Sequence, residues 1–287
     1  MHLGNGALTP ECAALAFGAA GVGLGAAAMD FRRQFSIRGL TPPARREIGR
    51  QMGIAAGLGA FVFAAQMFNI PVLPGISAHL VGGVLLAWMV GPSLGAWTMA
   101  IVLTVQAIVL GDGGLASLGA NIVNMALLPA SMVYLLRRFE YQHVSVAAGT
   151  AALTVVLAAL LIPLETALFR SASELSGWSD FASRMLLSHL AAGAAEAGHT
   201  FVLLLALSPA ASPAAGTRIR WQSGLLRSAF CLALIAGLCG LDILMAMWLA
   251  GWHINGALTW TVVLVGWLAA GAYNYVICES LARHVDR

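Results

Sequence analysis

The chain has 287 residues, 60% of them hydrophobic and 9% charged, with a mean hydropathy of +0.85. That balance excludes an ordinary soluble domain and defines a membrane protein. All fifteen basic residues are arginines set between apolar runs rather than along one face, so the net charge of +3 gives no nucleic-acid signal.

Met1-His2 opens the chain. A free α-amine, the backbone nitrogen of residue 2 and a ring nitrogen of His2 can close fused five- and six-membered chelate rings on one cation. A second imidazole would complete a square of nitrogens, a geometry that favours Ni²⁺ or Cu²⁺. His79, in Gly75-Ile-Ser-Ala-His-Leu-Val-Gly-Gly83, is the candidate fourth ligand. It qualifies only if the fold brings it to the N-terminus; otherwise His2 is merely the residue at position 2. Nothing basic precedes the first apolar run, which is longer than the core of a cleavable signal peptide. The N-terminus is therefore expected to be retained, with Met1 spared because the bulky His2 follows it.

Apolar stretches of roughly 18 residues or more mark membrane spans. Nine candidates follow in order, at about 8–29, 48–68, 77–91, 93–110, 118–136, 144–168, 184–208, 226–250 and 257–280. The third and fourth are short and separated only by Gly91-Pro92, which suggests a tight hairpin with Pro92 in the first turn of a new helix. The expected fold is all-α, a polytopic transmembrane helix bundle. Arg32, Arg33, Arg38, Arg45, Arg46, Arg50, Arg137, Arg138, Arg218, Arg220, Arg227, Arg283 and Arg287 all fall on one side of nine spans. The opposite loops hold only Arg170, with Arg184 at their edge. The positive-inside rule then puts the N-terminus outside and the C-terminus in the cytoplasm. His2 and the 69–79 connection share the outer side, as a shared metal site requires. His189 and His253 lie towards that side, and His143 and His284 lie inside.

Small residues are dense within the spans. Gly21 and Gly25, Gly53 and Gly57, and Gly91 and Gly95 each form G-x-x-x-G, suited to close helix packing within the bundle or to docking another membrane subunit. Four cysteines (Cys12, Cys231, Cys239 and Cys278) stand singly in apolar runs and read as small packing residues.

Polar residues inside a membrane are costly and point to function by default. Gln66, Gln106, Asn121 and Asn124 recur near the outer halves of their spans, with Asn121 and Asn124 on one helix face. They read either as groups that orient the metal-binding histidines and pin the N-terminal segment or as plain interhelical hydrogen bonds. Asp112 sits in a Gly-rich turn, where it either shapes the turn or attracts cations at the mouth. Glu196 and His199 form an E-x-x-H pair on the seventh span, with His189 two turns earlier. A di-metal site would need a second such pair and two more carboxylates, and only Glu165 is available within a span. No H-E-x-x-H, G-x-S-x-G or nucleotide loop occurs.

Several stretches together resemble the CbiM/NikM family, the substrate-capturing membrane components of energy-coupling-factor cobalt and nickel transporters. They are Met1-His2 with Gly6-Ala-Leu-Thr-Pro10, Ala60-Phe-Val-Phe-Ala-Ala-Gln-Met-Phe-Asn69 with Pro71, and Ser77-Ala-His-Leu-Val-Gly-Gly83 with Gly91-Pro92. Val105-Gln106-Ala107 leading to Asp112-Gly-Gly114, Leu118-Gly-Ala-Asn-Ile-Val-Asn-Met125, and His189-Leu-Ala-Ala-Gly-Ala-Ala-Glu196 follow. The resemblance implies that the Met1 amine, the His2 backbone nitrogen and ring, and His79 hold the cation. Gln66, Asn69, Gln106, Asp112, Asn121, Asn124, His189 and Glu196 are then the expected supporting or path residues. Gly4-Asn5-Gly6 departs from the family's usual Pro-Asp-Gly-like triplet. Residues 1–208 form the expected capture domain, and 209–287 a two-span extension that matches nothing in the family's core.

The reading that follows is a non-enzymatic subunit of a bacterial plasma-membrane importer for Ni²⁺ or Co²⁺, carrying no cofactor besides its cargo. Its expected partners are a transmembrane coupling subunit, cytoplasmic ATPase subunits and membrane lipid. The alternatives are a self-sufficient transporter or channel, which would show inverted repeats or charges along a path, and an intramembrane metalloenzyme.

Overall fold

A computed structural model describes residues 2–37, 42–67, 70–73 and 76–207. Met1, Asn69 and the extension 209–287, including His253 and both of its expected spans, lie outside these residues. The order of elements is α1 (Pro10–Ile37), α2 (Pro42–Gln66), the strands β1 (Ile70–Leu73) and β2 (Ile76–Ala78), α3 (Gly83–Val90) and α4 (Pro92–Val105). A π-helical turn, Gln106–Leu110, extends α4. The short α5 (Leu118–Ile122) runs through a second π turn, Val123–Leu127, into α6 (Leu128–Arg138). α7 (Val144–Ala167) and α8 (Trp178–Leu207) complete the bundle and pack along each other.

The bundle is helical as expected, with one addition. β1 and β2 form a small antiparallel hairpin that pairs Ile70 with Ala78 and Pro71 with Ser77. Among the described residues, five helices are long and apolar enough to cross a membrane: Pro10–Gln34, Arg46–Gln66, Pro92–Leu110, Leu115–Arg138 and Val144–Ala167. α8 is 30 residues long, but His189, Glu196 and His199 interrupt its apolar surface.

The expected third span, 77–91, is not a continuous helix. It is strand, then an irregular stretch at 79–82, then the eight-residue α3. Eight helical residues rise only about 12 Å, well short of the roughly 30 Å of a bilayer's apolar core. The run is apolar because protein surrounds it: Gly83 to Ala87 and Val90 are all buried, against α2, α4, α6, α7 and α8. A helix apolar all round is a core helix as readily as a membrane span. At its far end Arg137 donates to the Trp88 carbonyl at 2.5 Å, satisfying an end carbonyl that the helix itself leaves open.

The corner between α3 and α4 depends on glycine. Gly91 has φ +95°, and a Cβ on Gly95 would lie 2.6 Å from Ala87 Cα. This G-x-x-x-G therefore serves internal packing. At Gly21, Gly25 and Gly53 an added Cβ would meet nothing within 4 Å, so those faces of α1 and α2 are not used inside the bundle.

The main core joins Leu58, Val62, Leu85, Leu86, Met99, Met125 and Leu204. A second cluster of Leu3, Leu8, Cys12, Ala120, Ile162 and Met185 seats the N-terminal segment. Burying Leu3 and Leu8 contributes about 2 kcal/mol each, enough to hold a non-helical segment against the bundle.

Candidate metal-capture site

The N-terminal segment lies in a concavity formed by the α4–α5 connection, α5 and α7. Asn121 treats it as a neighbouring strand would: its Oδ1 accepts from Leu3 N at 2.9 Å, and its Nδ2 donates to Leu3 O at 3.2 Å and Gly113 O at 2.8 Å. Ser117 Oγ donates to Gly4 O at 2.7 Å, and Ala116 N donates to the Asn5 side chain at 3.1 Å. Arg170 reaches across from the α7–α8 loop to Ala7 O at 3.0 Å. A segment without secondary structure thus has its backbone satisfied residue by residue, as burial demands. Gly114, at φ +40°, makes room for it: a Cβ there would lie 2.3 Å from Asn5 N.

These contacts fix His2, whose side chain is 5% exposed. Its ring and that of His79 lie with centroids 4.7 Å apart, tilted by 53°. His2 Nδ1 is 3.0 Å from Asp112 Oδ1, at ion-pair distance though off the line of a good hydrogen bond. Interaction with the His2 ring holds the Asp112 carboxyl below its ordinary range, against the opposing effect of partial burial. The Gln106 backbone carbonyl accepts from Asp112 N at 3.2 Å and places that carboxylate.

His79 is buried, and its Nδ1 lies 2.9 Å from Leu80 O. A carbonyl can only accept, so Nδ1 carries the proton and the lone pair is on Nε2. The irregular stretch after His79 is clamped from two helices. Gln66 Nε2 donates to Val81 O at 2.7 Å. Glu196 accepts from Val81 N at 2.8 Å and Gly82 N at 2.7 Å, one oxygen to each donor. A carboxylate at the start of α3 meets both open N–H groups and the positive end of the helix dipole.

The structure thus brings His2, His79 and Asp112 together and gives the side chains of Gln66, Asn121 and Glu196 roles on backbone groups around them, whereas the buried Gln106 side chain has no hydrogen-bond partner among the described residues. Asn121 and Asn124 do not act as a pair. Asn121 is in α5 and bonds to Leu3 and Gly113, whereas Asn124, inside the π turn, donates to Glu165 at 2.9 Å. His199 Nδ1 bonds to Ala195 O of its own helix, while Glu196 bonds to Val81 N and Gly82 N. Among the described residues no group of three or more His, Cys, Asp and Glu side chains is placed to hold a metal ion. Sequence reasoning missed Asn5, Ser117 and Arg170. Arg170 had a signal, as the one arginine within the otherwise Arg-poor loops.

Fold and site together define a multi-pass membrane protein with a buried pair of imidazoles where its N-terminal segment meets the bundle. Residues 2–214 match the family described as "Cobalt uptake substrate-specific transmembrane region". The chain belongs to this CbiM/NikM family of membrane components for cobalt and nickel transport. A candidate metal transport protein from Haloquadratum walsbyi is 38% identical over 169 residues, 57% of this chain and 71% of that one. The fused nickel transport protein NikMN of Rhodobacter capsulatus is 34% identical over 139 residues, 47% of this chain and 37% of the fusion. A solved structure described as a truncated transition metal transporter superposes with TM-score 0.59 at 28% identity, covering 72% of this chain and 98% of that one.

Proposed function

We propose that this chain captures Ni²⁺ or Co²⁺ on the outer face of a bacterial plasma membrane and is the substrate-binding subunit of an energy-coupling-factor importer. The ligands in this reading are the Met1 amine, the His2 backbone nitrogen and Nδ1, and His79 Nε2. The observation that carries it is the pairing of His2 and His79 rings, from residues 77 positions apart, in a buried site with centroids 4.7 Å apart. The preset tautomer of His79 supports it further, because a ligating histidine commonly donates its other ring N–H to a carbonyl.

The nickel and cobalt transport named for the chain's relatives supports the cargo assignment. The absence of a nucleotide loop from the sequence supports placing ATP hydrolysis in cytoplasmic partner chains, joined through a transmembrane coupling subunit. The arginine distribution supports an outer N-terminus and a cytoplasmic C-terminus. Residues 1–208 are the capture domain in this reading, and 209–287 an added two-span unit.

The test is a calorimetric Ni²⁺ titration of purified protein. His79→Ala should weaken binding by at least about a hundredfold, or roughly 2.7 kcal/mol, in a protein that still elutes as a folded species. Wild-type affinity in this variant would exclude the four-nitrogen site.

A further inference from the structure

His189 belongs to none of the four proposed ligands, yet it has the form of one. It is fully buried in α8. Its Nδ1 lies 2.8 Å from Met185 O and 2.9 Å from Ser188 Oγ. Met185 O can only accept, so Nδ1 holds the proton and Nε2 carries the lone pair. That Nε2 is buried without a hydrogen-bond partner. A buried polar atom left unsatisfied is costly, and native structures rarely keep one without a ligand, water or functional reason. His79 is preset in the same way by Leu80 O.

Position supplies the second argument. Glu196 is seven residues after His189, so the two share a face of α8 about 10.5 Å apart along the axis. Glu196 grips Val81 and Gly82. His79 precedes those residues by two to three positions, at most about 10 Å of non-helical chain. α8 packs on the β1–β2 hairpin as well as on α3, so helix and segment run together from the hairpin inward. The face of α8 that clamps Val81 therefore presents His189 at the level of His79.

We infer that His189 Nε2 is a further ligand for the transported divalent cation, accepting it from His79 as it leaves the capture set. This rests on the capture reading above. His189 is not part of that set, since no three such side chains converge among the described residues. Exchange between the two neutral imidazoles itself moves no proton, because each already holds its proton on Nδ1, while the His2 backbone nitrogen takes back from solvent the proton it gave up on binding.

The test uses the full chain and His189→Asn. The asparagine amide can still donate to Met185 O but brings no imidazole lone pair. Ni²⁺ affinity of this variant should stay within about threefold of wild type, while nickel uptake by cells carrying the transporter falls at least about tenfold. In a His79→Ala background, the residual Ni²⁺ binding should fall by a further factor of about ten when His189→Asn is added. Unchanged uptake, or equal residual binding by the single and double variants, would overturn the assignment. Failure of the capture reading looks different: His79→Ala alone would bind like wild type.

Discussion

Glu196 closes the irregular stretch before α3, and glutamine is the perturbation that tests it. Glutamine keeps the volume but offers one acceptor and one donor to two backbone N–H groups. One of the bonds at 2.7 and 2.8 Å is lost, and its donor stays buried, because Glu196 is only 3% exposed. An unsatisfied buried donor costs about 1–3 kcal/mol, and losing the charge on the surviving bond adds about 1. The expected cost of Glu196→Gln is therefore about 2–4 kcal/mol. In the metal-free protein this cost can be relieved by letting residues 79–82 move. Metal binding must then reimpose the clamp, which lowers Ni²⁺ affinity by about 30- to 900-fold. The assay is calorimetric Ni²⁺ titration beside thermal unfolding in the same detergent. Glu196→Asp keeps both oxygens and should fall between the two. Glu196→Gln protein with affinity within about twofold of wild type and an unchanged melting point would refute the clamp.

Two further outcomes test the docking of the N-terminal segment. One residue added before Met1 turns its amine into a poorly coordinating amide. Metal binding should be lost in that protein and kept with a tag after Arg287, as measured by metal content at matched expression. Gly114→Val would bring Cβ to within 2.3 Å of Asn5 N, on a backbone already at φ +40°. It should displace the N-terminal segment, exposing it to limited proteolysis and reducing Ni²⁺ affinity by at least about tenfold, while the bundle's melting point changes little.

The helices were legible from apolar length alone, because lipid imposes the same demand on each. That signal failed at 77–91, where burial in protein produces the composition that lipid would. Gly82 at φ +72°, with Val62 packed where its Cβ would be, marks the break, but Gly82-Gly83 in a run rich in glycine does not announce it. The intramembrane polar residues were legible as important but only partly in their targets. Asn121 holds the N-terminal segment, one of the roles read for it, whereas Gln66 and Glu196 bond to the backbone of Val81 and Gly82. Sequence spacing gives a helix face; it does not say whether a facing segment is helix, with its N–H groups already used, or irregular chain that needs partners. The π turn that contains Asn124 was likewise invisible, since no composition rule marks such a turn.

Those backbone bonds follow from keeping His79, the proposed ligand, beside non-helical chain inside a membrane protein's bundle. Irregular backbone survives there only where protein satisfies its polar groups. Gln66 and Glu196 do this for Val81 and Gly82, and Asn121 does it for Leu3. A ligand on a continuous helix could move only with the whole helix. His79 instead stands just before a stretch held by three side-chain bonds from α2 and α8, so a small shift of α8 relative to α3 acts directly on that stretch. If His189 receives the cation as proposed, holding it and letting it go depend on one helix face, that of Glu196 and His189, without rearranging the core of Leu85, Leu86 and Met99.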